Sequence, residues 1–123
     1  MNEPIEFRAA VSADVSAVKQ CAAAAYHKYI ERIGREPAPM VADFESQIAQ
    51  SLVQVMTVGE SFGGFAVCYA KSDCYFLENI AIYPAFQSCG YGAQLLHHVH
   101  SLAAPFKVVR LYTNEKMVEN LSW

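Results

Sequence analysis

The sequence predicts an α/β (α+β) chain: a mixed, mostly antiparallel sheet with flanking helices. Three observations carry that reading. Two apolar runs, 52–60 and 62–72, meet at the stretch "ESFGG", 60–64, which holds the glycine and serine a hairpin needs. A third run, 73–84, is followed by a helical pattern and then a short strand, and such a unit over 75–113 calls for a right-handed crossover with a parallel strand pair. Helical spacing flanks both features. With 123 residues the chain forms one domain, 1–123, by the length prior, and it buries roughly two-thirds of its unfolded surface.

The elements follow in order. In 5–10, Ile5, Phe7 and Ala9 alternate with Glu6, Arg8 and Ala10, a strand with one buried face. From Ser12, read as the N-cap, the positions Val15, Val18, Ala22, Ala25, Tyr26, Tyr29, Ile30 and Ile33 recur at helical spacing, and Gly34 suits the C-terminal cap. The prolines of "REPAPM", 35–40, stiffen an extended loop. A second helix spans about 41–51 with a cap near Asp43, and the two hairpin strands follow. The third run stops at Pro84. Leu95, Leu96, Val99, Leu102 and Ala103 then share one helical face, "KVVRLYT" reads as a strand, and "EKMVENLSW" opens another helix.

Composition excludes several classes. Apolar residues make up 54% and charged residues 17%, which is the balance of a folded globular chain. The net charge of −3, with no run of Lys or Arg, argues against nucleic acid as a partner. Cys21, Cys68, Cys74 and Cys89 are scattered without a Cys-x-x-Cys pair, so they read as free thiols of a reducing, cytoplasmic setting. The N-terminus lacks the pattern of a signal peptide, and no apolar stretch approaches the ~20 residues of a membrane span.

The stretch "AFQSCGYGAQLL", 85–96, places Gly90 and Gly92 one residue apart between a strand and a helix. A tight turn explains such a pair. So does a cradle of backbone N–H groups for a pyrophosphate at a helix N-terminus. The dinucleotide fingerprint fails because its last glycine is Leu95, and the nucleoside-triphosphate loop fails for want of its lysine.

"ENIAIYPAFQSCGYGAQLL" resembles the acetyl-CoA-binding motif of the GNAT N-acetyltransferase superfamily, Gln/Arg-x-x-Gly-x-Gly/Ala after a strand ending in Pro. Gln87, Gly90 and Gly92 fill its signature positions, with Ser88, Cys89, Tyr91 and Ala93 between and beside them. "IEFRAAVSADVSAV" resembles the family's first strand and helix entry, with Arg8 and Asp14 in familiar places. "YIERIGREPAPMVADF" is similar to a bacterial subgroup of small-molecule acetyltransferases, and "LYTNEKMVENLSW" to the segment entering the final helix. The resemblance therefore covers nearly the whole chain.

It implies an N-acetyltransferase that moves an acetyl group from acetyl-CoA to a primary amine of a small molecule and releases CoA. Residues 87–93 would hold the pyrophosphate, the backbone of Ile80, Ala81 and Ile82 would pair with the pantetheine arm, and Asn120 would hydrogen-bond it. Glu78 would be the general base; as a bare residue it reads equally as a solvated carboxylate or an arginine partner. Tyr26, Tyr29 and Met40 would line the acceptor side, or serve as plain core. Asn114 is the less well matched asparagine and suits a helix N-cap. The "HHVH" run, 97–100, reads as helix-surface histidines with no bound metal.

The resemblance also implies a fold lacking the usual last two strands, an open edge at "KVVRLYT", and the absence of a tyrosine acid that would follow Trp123. An open edge favours a homodimer. A missing acid lowers the expected rate by ~10²-fold or more, which keeps open a non-catalytic acyl-CoA-binding module or an inactive truncated fragment.

Overall fold

The computed structural model describes residues 4–26, 43–71, 74–87, 89–104 and 108–111. Its elements are β1 (Ile5–Ala9), α1 (Val15–Tyr26), α2 (Phe44–Ala49), β2 (Val53–Val58), β3 (Ser61–Lys71), β4 (Cys74–Ile82), α3 (Tyr91–Leu102) and β5 (Val108–Leu111), with 3-10 turns at Ser12–Asp14 and Pro84–Phe86. The strands form one sheet in the order β1-β2-β3-β4-β5. Neighbours are antiparallel except β4 and β5, which run parallel across the α3 connection. The mixed, mostly antiparallel sheet is thus the one the element order requires.

Alternation along the strands sends side chains to two separate cores. Val53, Val55, Phe65, Val67 and Ala81 meet α1 and α2 through Val18, Cys21, Ala22, Ala25, Phe44 and Ile48. Met56, Val58, Ala66, Cys68, Leu77, Ile80 and Ile82 meet α3 through Leu95 and Val99. The sheet is therefore the middle of three layers. Leu102 is 37% exposed, so the apolar face of α3 closes with Ala103 instead. Ala9 is exposed and Ala10 buried, because Ala10 continues the ladder with its N–H on the Val53 carbonyl and turns to the opposite face, where it joins the core beneath α1. Among the described residues no helix is long and apolar enough to cross a membrane.

The hairpin turn overlaps "ESFGG" only at its first residue, Glu60. Val58 pairs with Ser61, leaving Gly59 and Glu60 as a two-residue loop, and Gly59 takes φ +61. A left-handed first residue matches the twist of the flanking strands, which is why glycine stands there. Gly63 and Gly64 lie inside β3 instead. A methyl on Gly64 would stand 2.5 Å from the Ala81 carbonyl oxygen and 2.9 Å from Ile82 Cδ1. Since the nearer atom is backbone, it cannot swing aside. Gly64→Ala is expected to destabilise the fold by about 1–3 kcal/mol, read as a fall in the urea midpoint; an unchanged midpoint would disprove that close packing.

Ser12 is not the N-cap. The extended residue before the first turn is Val11, and the Asp14 carboxylate accepts from its N–H at 2.8 Å. The same carboxylate accepts from both terminal nitrogens of Arg8, at 2.7 and 2.9 Å, tying β1 to the entry of α1. The Arg8 hydrogen bonds hold the Asp14 carboxyl below the usual range; burial opposes this and the Val11 bond assists. A depressed folded value means the contribution is complete above the unfolded pKa, roughly 4, and vanishes as pH falls through the folded one. Asp14→Asn is expected to cost about 1 kcal/mol at pH 7, with the difference in urea midpoint closing in acid below the folded value.

Helix α2 starts at Phe44, later than helical spacing alone suggests, because the Asp43 side chain accepts from the Ser46 N–H at 3.1 Å and fixes the boundary. The continuation of the first helix to Gly34, the proline loop and the final helix fall outside the described residues.

Candidate active site

Strand β4 and the loop that follows it bring most of the candidate residues together. Pro84 opens a 3-10 turn in which the amides of Phe86 and Gln87 return to the carbonyls of Tyr83 and Pro84. The Gln87 side chain donates to the Ile82 carbonyl at 2.9 Å, clasping the loop to the end of β4. Phe86 and Tyr91 meet edge to face at 5.7 Å, which fixes the far side of the loop.

Gly90 is the N-cap of α3, with φ +84. A Cβ built there meets nothing within 4 Å among the described residues beyond its chain neighbours, which leaves space before the helix. The helical ladder begins with the Gln94 amide donating to the Gly90 carbonyl at 3.3 Å. The amides of Tyr91, Gly92 and Ala93 precede it, at the positive end of a 12-residue helix. Residues and space fit an anionic group such as a pyrophosphate. Cys89 is exposed, its Sγ 3.5 Å from the Gln87 carbonyl oxygen.

Ile80, Ala81 and Ile82 bury their side chains in the two cores, leaving only backbone for a ligand to read. The parallel ladder runs from Cys74↔Val108 to Leu77↔Leu111, where the described part of β5 ends. The next residue is Glu78. On the β3 side, Cys68 pairs with Leu77 and Val67 with Asn79, so Glu78 is the extra residue of a β-bulge. The bulge shifts the phase of the strand: Leu77 lies in the α3-side core, while Ala81, four residues on, lies in the other.

The half-buried Glu78 carboxylate is held by two neutral donors on the α1–α2 face. The Tyr69 hydroxyl donates to Oε1 at 3.0 Å, and Gln47 Nε2 donates to Oε2 at 2.8 Å. Neither partner is an arginine, so the ion-pair reading of Glu78 finds no support here. Gln47 and Tyr69 are neighbours of Glu78 that local patterning does not mark. The one local signal is the pair Glu78-Asn79, two polar residues in succession where strand alternation allows one.

Tyr26 is the last described residue of α1, with its side chain outside the described set. Tyr29, Met40, Ser88, Asn114 and Asn120 also fall outside it. His97 and His100 are exposed. His98 is structural: its ring stacks on Phe7 at 4.5 Å, and Nε2 lies 2.9 Å from Gln54 Oε1. Burial holds its pKa below the ordinary value.

Residues 19–121 match the profile of the acetyltransferase (GNAT) family. Among solved structures, the chain is similar to PaiA N-acetyltransferase from Thermoplasma acidophilum in complex with coenzyme A, at 18% identity and TM-score 0.76, covering 97% of this chain and 85% of that one. It is similar to aminoglycoside N-acetyltransferase AAC(6')-Iy in complex with CoA at 14% identity and TM-score 0.70, covering 99% and 85%. The ribosomal-protein-S18-alanine N-acetyltransferase from Escherichia coli gives 21% identity and TM-score 0.64, covering 81% and 59%. At these identities the likeness shows a shared fold. No curated protein sequence matches the chain significantly.

Proposed function

Because the chain belongs to the acetyltransferase (GNAT) family, we propose that it acetylates the primary amine of a small molecule. Acetyl-CoA, the family's acetyl donor, supplies an acyl group already activated as a thioester. The chain's own residues do the remaining work. The amides of 89–93, with Gln87 and Ser88 shaping the loop, hold the pyrophosphate at the mouth of α3. The backbone of Ile80, Ala81 and Ile82 pairs with the pantetheine arm, and Asn120 hydrogen-bonds it. Tyr26, Tyr29 and Met40 line the acceptor side.

Glu78 takes the proton that the amine must lose, directly or through one water. The observation that carries this reading is the bulge. It turns a carboxylate to the α1–α2 face, on the strand whose C-terminal end leads into the Gly90 turn. A thiolate with a pKa near ~8.5 is a tolerable leaving group, so a tyrosine acid would speed turnover without being required for it.

We further read the protein as cytoplasmic and as pairing with a second copy. The net charge of −3 favours a cationic acceptor. The test measures thiol release from acetyl-CoA with aminosugars, alkyl polyamines and a peptide bearing a free α-amine, beside calorimetry with CoA. Turnover with a small amine is the expected result. CoA binding with no thiol release above hydrolysis would establish a binding module instead, and turnover confined to the peptide would overturn the small-molecule assignment.

A further inference from the structure

We propose that Gln47 is a positioning residue for Glu78, locking helix α2 to the bulge so that the carboxylate meets the acceptor amine in a single orientation. This rests on Glu78 taking the amine proton. The two residues are 31 positions apart, and their 2.8 Å contact crosses from the helical layer to the sheet. The backbone at Gln47 is pinned twice: its N–H donates to the Asp43 carbonyl at 3.1 Å, and its own carbonyl accepts from the Leu52 N–H at 3.0 Å. Buried Phe44 and Ile48 flank it on α2, and Phe44 packs edge-on against Phe65 of β3 at 5.4 Å. The amide therefore starts from a fixed platform.

Its orientation is set by Glu78 rather than by its own needs. Nε2 faces the carboxylate, whereas the reversed amide would set one oxygen against another. As placed, Gln47 Oε1 is buried and has no hydrogen-bond partner among the described residues. A residue needed only for packing would not carry an unsatisfied buried carbonyl, because leucine fills similar volume without that cost. Tyr69 completes the grip from the sheet side, its ring stacked on Phe76 at 6.0 Å. With one donor on each oxygen among the described residues, the carboxylate has lone pairs to spare for the substrate.

Gln47→Leu removes the orphaned acceptor but also takes the donor from Glu78 Oε2, two opposed effects that are expected to leave the melting temperature within a few degrees of the parent. The expected kinetic result is a fall in kcat of about tenfold or more, with KM for acetyl-CoA unchanged within about twofold, since misplacement of a catalytic group costs rate and not donor binding. Gln47→Met, with an unbranched side chain, is measured beside it should leucine fail to fold. In a Glu78→Gln background the same Gln47 change is expected to have no further effect, because it acts through the carboxylate. Unchanged kcat in a folded Gln47 variant overturns this inference alone, as does an equal loss in both backgrounds. A Glu78→Gln chain as fast as the parent, or no amine-dependent thiol release from the parent, overturns the general-base reading and this one with it.

Discussion

Gly90→Asp is expected to weaken CoA binding about 100-fold by calorimetry, whereas Gly90→Asn weakens it less than about tenfold. The pair separates charge from backbone. Gly90 sits at φ +84 with open space where its Cβ would be, so neither substitution meets a wall. Asn and Asp are the non-glycine residues that best tolerate the left-handed region, so both variants bear a similar modest strain. They differ by one negative charge. At about 5 Å from a phosphate, with an effective dielectric near 20, that charge costs about 3 kcal/mol. In the free protein the sign reverses, because an acidic residue at a helix N-terminus is favourable. The Asp variant should therefore melt no lower than the Asn variant while binding CoA far worse. Equal affinities for the two would remove the pyrophosphate from the mouth of α3.

Glu78→Gln is expected to slow acetylation of alkyl amines by about 10²–10⁴-fold, the usual worth of a positioned general base, with CoA affinity unchanged. The glutamine carbonyl can still accept from Tyr69 or Gln47, so the fold should be spared. The discriminating variable is the basicity of the acceptor. An alkyl ammonium with a pKa near ~10.4 is neutral in only about 10⁻³ of molecules at neutral pH, so it depends on Glu78 to lose its proton. A weakly basic amine arrives already neutral. Its rate should fall far less in the same variant. A loss of the same size for both amines would show that Glu78 has a structural part only.

Some of this was legible in the chain itself, and the reason is range. Alternation in β2 and β3, the spacing of Leu95 and Val99 along α3, the proline that ends β4 and the glycine that caps α3 act within a few residues. The hairpin turn was misplaced because two neighbouring glycines resemble a turn locally. In the fold, Gly64 is demanded by the carbonyl of Ala81, which lies across the sheet. Ser12 looked like a cap for the same reason, until Asp14 and Arg8 met over the start of α1.

By itself the sequence determined the order of the described elements, the mixed sheet and the loop that opens α3, because strand period, helix period and backbone freedom are properties of neighbouring residues. Only the tertiary structure decided that Glu78 stands at a bulge and is gripped by Gln47 and Tyr69. A bulge exists only relative to a partner strand. Its phase is set by the pairing of β4 with β3, and the partner on α2 by how two buried side chains seat that helix on the sheet.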